Sequence, residues 1–384
     1  MRILYVAMKY DYGRPEQGFS FEHYNFYHSL VHMGHDVVYF DFMTLLYEHG
    51  RSGMNARLLE VAKAEKPDLV FTILFTDELD MAVLRKLTED VGLRTVNWFC
   101  DDHWRFESYS RLWAPCFRWV VTTAASALPK YAAIGYGNVI KSQWACNTFM
   151  YKSMDLPLVY DVTFVGQPYG HRRTIIEELR RAGMRVQVWG SGWELGRISQ
   201  EEMIRIFNQS RINLNLTTAY GHVEQQVTRP PKAFKGLITG LLSRVPFLPN
   251  TRSAGALDQR LEESSNSVPP ARGGSEQIKG RNFEVPGCGG FLLTGHADNL
   301  EDYYNIGEEI GCFHSTEQMI ERVQYYLSHE EERRAVAKAG YIRTLKEHTY
   351  EHRFNAIFMQ VGLGETCGHV GGQSVRLGHC EEVR

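Results

Sequence analysis

Charge of one sign is the first thing this sequence lacks. Lysine and arginine total 42 against 45 aspartates and glutamates in 384 residues, a net charge of −3. That balance gives no global basic field to hold nucleic acid, and basic residues cluster only locally, as at His171-Arg172-Arg173 and Arg180-Arg181. The seven cysteines are odd in number and contain no C-x-x-C pair, which argues against a disulfide framework and predicts reduced thiols in a cytoplasmic protein. No apolar stretch reaches about 18 residues, so no membrane span is expected. The run Ile3-Leu4-Tyr5-Val6 is too short for a signal-peptide core. G-x-G-x-x-G is missing from the first loop, which excludes a dinucleotide fingerprint there. Cys367, His369, His379 and Cys380 fit no zinc spacing, and no metal site or cofactor is expected.

What is present reads as alternating strands and helices. A strand over 3–8 leads into a loop with Gly13, Pro15 and Gly18, a helix over 19–33 and a strand over 36–42, a βαβ start. Helices over 54–65 and 79–91 alternate with strands over 69–75 and 94–99. A strand over 119–123 and a helix over 125–134 follow. In parallel sheets ligands bind beyond the carboxyl ends of strands. That places Asp77-Glu78 and Asp101-Asp102-His103 where chemistry would occur. Two readings of the second group stay open: Asp102 or His103 as a general base toward an acceptor, or a carboxylate capping the next helix. A metal-binding D-x-D does not fit, because that motif has an intervening residue.

A second series begins at Asp161. A strand runs into Gly166, and His171-Arg172-Arg173 opens a helix over 172–183, an arrangement that can offer N–H groups and the Arg172 and Arg173 cations to a diphosphate. The next strand ends in Trp189-Gly190. Residues 217–275 read as an inserted loop, Ser/Gly/Pro/Arg-rich over 251–275, and 362–384 as a disordered tail. The expected division is therefore an N-terminal domain over 1–150 and a C-terminal domain over 151–361.

The densest chemistry lies in 276–304, EQIKGRNFEVPGCGGFLLTGHADNLEDYY. Lys279 and Arg281 precede Glu284, and Pro286-Gly287-Cys288-Gly289-Gly290 predicts a turn whose backbone, at Gly289 and Gly290, approaches an anion closely. Cations bind phosphate and a carboxylate accepts from sugar hydroxyls. Seven residues separate Glu276 from Glu284.

This stretch, with Glu308-Glu309-Ile310, the helix over 317–329 and Arg343 to Arg353, resembles the donor segment of GT-B glycosyltransferases of the group 1 type. The closest likeness is to the CgeB-like (spore maturation protein) branch. It covers about the last third of the chain, and a weaker likeness covers most of the rest. The resemblance implies an α/β fold of GT-B type, two Rossmann-like domains facing across a cleft, with the final helix crossing back to the first domain. It also implies sugar transfer from a nucleotide diphosphate sugar to an unidentified acceptor, without metal and with retained configuration. Glu284 would hold the donor ribose, Glu276 would approach the donor sugar, and Trp189 and Gly190 would meet the base, although Trp189 reads equally as core. A non-catalytic nucleotide- or sugar-binding module and a GT-B epimerase are the alternatives.

The composition of residues 251–274 cannot bury enough apolar surface to order itself. Deleting them is expected to leave the fold intact, and limited proteolysis of the full chain should cut there first. Resistance throughout that stretch would refute the expectation.

Overall fold

A computed structural model of the chain describes residues 1–219 and 275–364. The part of the expected insertion over 220–274 and of the expected tail over 365–384 lie outside the described residues.

The first domain is built on a six-stranded parallel sheet in the order β2-β1-β3-β4-β5-β6. Its strands are β1 (Arg2–Ala7), β2 (Asp36–Asp41), β3 (Leu69–Thr72), β4 (Thr95–Phe99), β5 (Trp119–Thr122) and β6 (Val139–Lys141). The apolar run of β1 is what a parallel strand covered on both faces requires. Side chains alternate across the sheet, so Leu4 and Val6 enter one core with Phe42, Met54 and Leu58. Ile3, Tyr5 and Ala7 enter the other with Phe26, Leu30, Phe71 and Trp98.

The second core is completed from the far end of the chain. Helix Tyr350–Gln360 sets Tyr350, Phe354, Ile357 and Phe358 into it. Phe354 lies edge-on to Phe26 and Phe71. The crossing is tied on both sides of Cys146, whose N–H donates to His348 O at 2.8 Å and whose carbonyl accepts from Tyr350 N at 3.1 Å.

The second domain carries β7 (Tyr160–Val165), β8 (Val186–Trp189), β9 (Ser210–Asn215), β12 (Leu292–Gly295) and β13 (Gly311–Phe313). They form a parallel sheet in the order β13-β12-β9-β7-β8. Between β9 and β12, the short strands β10 (Thr218–Ala219) and β11 (Ser275–Glu276) pair antiparallel. They bring the two ends of the intervening segment side by side.

Three local expectations are corrected. The helix expected from 54 begins at Phe42 and runs to Glu65 through a kink at Gly50, φ 67°; that glycine hid its first half. The helix expected over 19–33 opens with a wide turn, His23–Tyr27, before His28–His32. The turn expected at 286–290 starts as helix, Arg281–Gly287.

Because Phe354 is fully buried in a core that joins both ends of the chain, Phe354→Ala should cost about 3–5 kcal/mol. Urea unfolding followed by tryptophan fluorescence measures it; a loss under about 1 kcal/mol would show that the crossing helix does not hold the first domain.

Candidate functional site

The loops after the strands of both sheets meet in a cleft spanned by three bridges. Gln277 Nε2 donates to Asp101 Oδ1 at 3.2 Å, Lys141 Nζ to Tyr303 Oη at 3.0 Å, and Arg197 Nη2 to Asp11 Oδ2 at 2.7 Å. Arg197 also donates to the Gln17 carbonyl at 3.0 Å. Next to Asp11, Tyr12 is held at φ 52° and ψ 30°, a left-handed conformation unusual for a bulky residue. Its ring lies edge-on to Phe75.

An anchored apolar neighbour places the central cation. Ile278 is buried in a core with Phe283 and Leu292; on either side of it, Gln277 reaches Asp101 across the cleft and Lys279 feels the Asp101 charge. Lys279 has no ion-pair partner among the described residues. Burial pulls its pKa down to about 7, with Arg172 adding to the effect and Asp101 opposing it. Across from it stands His103, whose pKa burial lowers to about 4; Lys279 and Lys141 act in the same direction, against Asp101 and Asp298. A neutral imidazole of that weak basicity serves as a hydrogen-bonding group near neutral pH better than as a base. Glu22, at the end of the first loop, shows the opposite behaviour. Burial, helped by Asp11 and Asp101, lifts its pKa to about 7.

Several expected site residues prove to be framework. Asp102 is fully buried and accepts from Tyr131 Oη at 2.8 Å, so it neither reaches the cleft nor caps the helix through its side chain. Its neighbour Asp101 faces the cleft instead. Asp77 is tied to Arg51 and Glu78 to the Thr76 hydroxyl and N–H.

The glycines expected to cradle an anion have their N–H groups committed. Gly289 N donates to Pro286 O and Gly290 N to Val285 O, at 2.8 and 3.1 Å. They close a helix C-terminus, the end of a helix dipole that repels anions. A Cβ on Gly290 would sit 2.9 Å from Asn213 Nδ2, so packing demands glycine there. A Cβ on Gly190 (φ 139°) would lie 2.3 Å from the Gly166 carbonyl, which itself accepts from Trp193 Nε1 at 2.8 Å. These two glycines let the loops after β7 and β8 touch. Trp189 packs edge-on to Tyr160 in the domain interior.

The cations divide. Arg172 donates to the carbonyls of Gln167 and Leu216 at 3.0 and 2.7 Å, and Arg173 lies over Trp193 and donates to the Gly192 carbonyl. Arg281 pairs with Glu284. Burial alone would weaken its protonation, but Glu284 and Tyr151 more than offset that and hold its pKa above the ordinary value. Glu284 is fully buried. One oxygen accepts from Tyr151 Oη at 2.7 Å and the other from Arg281; Tyr151 is held in turn by Gln200 at 2.6 Å. The carboxylate expected to hold a ribose is thus buried and held by a protein donor on each oxygen. Glu276 is exposed and pairs with His296 at 3.4 Å, so the two glutamates have separate partners.

Sequence reasoning thus missed Gln277, Lys141, Glu22 and Tyr12, and preferred Asp102 to Asp101. Gln277 had a legible signal, its spacing of two from Lys279. Among the described residues, no group of three His, Cys, Asp or Glu side chains is placed to hold a metal ion, and no helix is long and apolar enough to cross a membrane.

The fold is that of GT-B glycosyltransferases, two parallel-sheet α/β domains across a cleft. A family model described as "Glycosyl transferase-like" matches residues 172–236 and 250–359. A sucrose-phosphate synthase from Thermosynechococcus elongatus aligns over 94% of this chain and 97% of its own, with 11% identity and a TM-score of 0.57. HepE from Anabaena, in complex with UDP-glucose, aligns over 94% and 98%, with 11% identity and a TM-score of 0.58. A glycosyltransferase from Rickettsia africae aligns over 95% and 99%, with 9% identity and a TM-score of 0.57. At such identities the likeness speaks for the fold. No curated protein matches the chain by sequence.

Replacing Glu284 by glutamine removes the charge opposite Arg281 while keeping the shape. Breaking such a pair should cost about 3 kcal/mol of stability, read by urea unfolding. A variant as stable as the parent would show that the carboxylate is not held as a structural partner.

Proposed function

We propose that the chain transfers a hexosyl group from a nucleotide diphosphate sugar to a hydroxyl-bearing acceptor. The observation that carries this reading is Lys279, a desolvated ammonium with no ion-pair partner among the described residues, in the cleft of a GT-B fold. In such a transfer the bond from the sugar's anomeric carbon to the diphosphate breaks and its electron pair leaves with the diphosphate. The acceptor oxygen bonds to that carbon and passes its proton to the departing diphosphate. Negative charge therefore grows on the diphosphate in the transition state, and a fixed cation beside it lowers the barrier. Lys279 supplies that charge without a metal ion, with Arg172 adding to the positive field around it. The family match over much of the second domain supports placing the donor there. UDP is the first base to test, since HepE was solved with UDP-glucose.

Retention of configuration, membership of the CgeB-like branch and a cytoplasmic setting are finer parts of the same proposal. The first two rest on the sequence resemblance. The last is supported by Cys116, Cys146, Cys288 and Cys312, free thiols buried in the interior. NMR of the product anomer tests the first.

Donor binding should depend on pH through Lys279. In the free protein it titrates near 7, and a bound diphosphate keeps it protonated. Above pH 7, binding must therefore take up a proton, and affinity falls by up to about tenfold per pH unit; below about pH 6 the slope vanishes. UDP-glucose is a suitable probe because its diphosphate diester does not titrate in this range. Calorimetry in buffers of different ionisation enthalpy should show the uptake. Lys279→Gln should weaken binding about tenfold or more, and Lys279→Arg should flatten the pH slope. UDP, GDP, ADP and TDP should be titrated with and without EDTA. Binding abolished by EDTA in every case would refute metal independence, and no binding by any base would refute the donor reading.

A further inference from the structure

The bridge between Asp101 and Gln277 leaves two acceptor oxygens unused. Gln277 is 6% exposed, and its Nε2 donates to Asp101 Oδ1. A carboxylate only accepts, so this bond fixes which way the amide points. The atom left over is Oε1, buried and without a hydrogen-bond partner among the described residues. Asp101 Oδ2 likewise accepts no bond among them. A buried amide oxygen lacking a donor is an unfavourable arrangement that a ligand's O–H would relieve.

The neighbours narrow the ligand. Lys279 lies two positions beyond Gln277 and turns to the same cleft, within the electrostatic reach of Asp101. A group seated against Asp101 and Gln277 therefore adjoins whatever lies on the ammonium. In a nucleotide sugar, the part next to the diphosphate on the side away from the nucleoside is the sugar. Two nearby acceptors call for two nearby donors, and a neutral hexose offers them as adjacent hydroxyls. The Asp101 charge disfavours a sugar that carries its own carboxylate.

We propose that Asp101 and Gln277, one from each domain, form the subsite that reads the transferred sugar, accepting hydrogen bonds from a vicinal diol of a neutral hexose. This rests on the nucleotide-sugar reading above. Because the subsite has one half in each domain, it is complete only when the domains are together.

The test is calorimetric titration of the full chain with UDP and UDP-glucose, or the same pair on whichever base the preceding titrations select. Asp101→Asn and Gln277→Met should each weaken UDP-glucose about tenfold or more while leaving UDP within about threefold. Retained UDP binding serves as the folding control. Wild type should bind UDP-glucuronate about tenfold more weakly than UDP-glucose, and Asp101→Asn should narrow that gap. If both variants weaken UDP and UDP-glucose equally, or weaken neither, the subsite is overturned while the donor reading stands. If wild type binds no nucleotide or nucleotide sugar, the donor reading fails and the subsite fails with it.

Discussion

A partly buried ammonium without a counter-charge is the constraint on which the cleft depends. Desolvation disfavours a charged amine, and the Arg172 cation repels it. Arg172 donates to two carbonyls, and Arg281 is paired with Glu284. Lys279 has no ion-pair partner among the described residues, with Asp101 near enough to be felt but beyond ion-pairing distance. The framework must therefore hold the lysine in place against its own preference for water. Ile278, anchored in the core, and the Lys279 N–H, which donates to Asn282 Oδ1 at 2.9 Å, do this.

The same logic explains why so many polar groups around the cleft face inward. Tyr151 and Gln200 secure Glu284, so that Arg281 is neutralised at the donor end and does not compete for an incoming anion. Asp102 turns to Tyr131, which frees Asp101 to be the only one of the pair in the cleft. The arrangement separates residues that set the field from residues that meet a ligand. The first group is held by hydrogen bonds and ion pairs within its own domain, whereas Gln277 Oε1 in the second keeps an open valence.

Much of the architecture was legible in the sequence because parallel strands buried on both faces carry continuous apolar runs, as Ile3 to Ala7 do in β1. What escaped notice was decided by single-residue geometry. Gly50 reads as a helix terminator yet only kinks a helix that continues. Pro286 to Gly290 reads as a ligand-facing turn, but its N–H groups are consumed by the carbonyls of the helix before it. Asp101 and Asp102 are chemically identical, and one step along the helix start decides which is solvent-facing; the decisive partner, Tyr131, lies 29 residues away. Glu284 was singled out for its residue type, and nothing local announces that Tyr151, 133 positions earlier, would occupy it.

The helix Tyr350–Gln360 has a consequence for the order of assembly. Domains usually fold in turn as they leave the ribosome. Here the sheet of the first domain emerges early, but Phe26, Phe71 and Trp98 wait for Tyr350 and Phe354 to cover them. Every strand of the second domain is synthesised before that helix. The domain translated first is thus the last to be sealed, and during the interval an aromatic face stays open to water or to a chaperone.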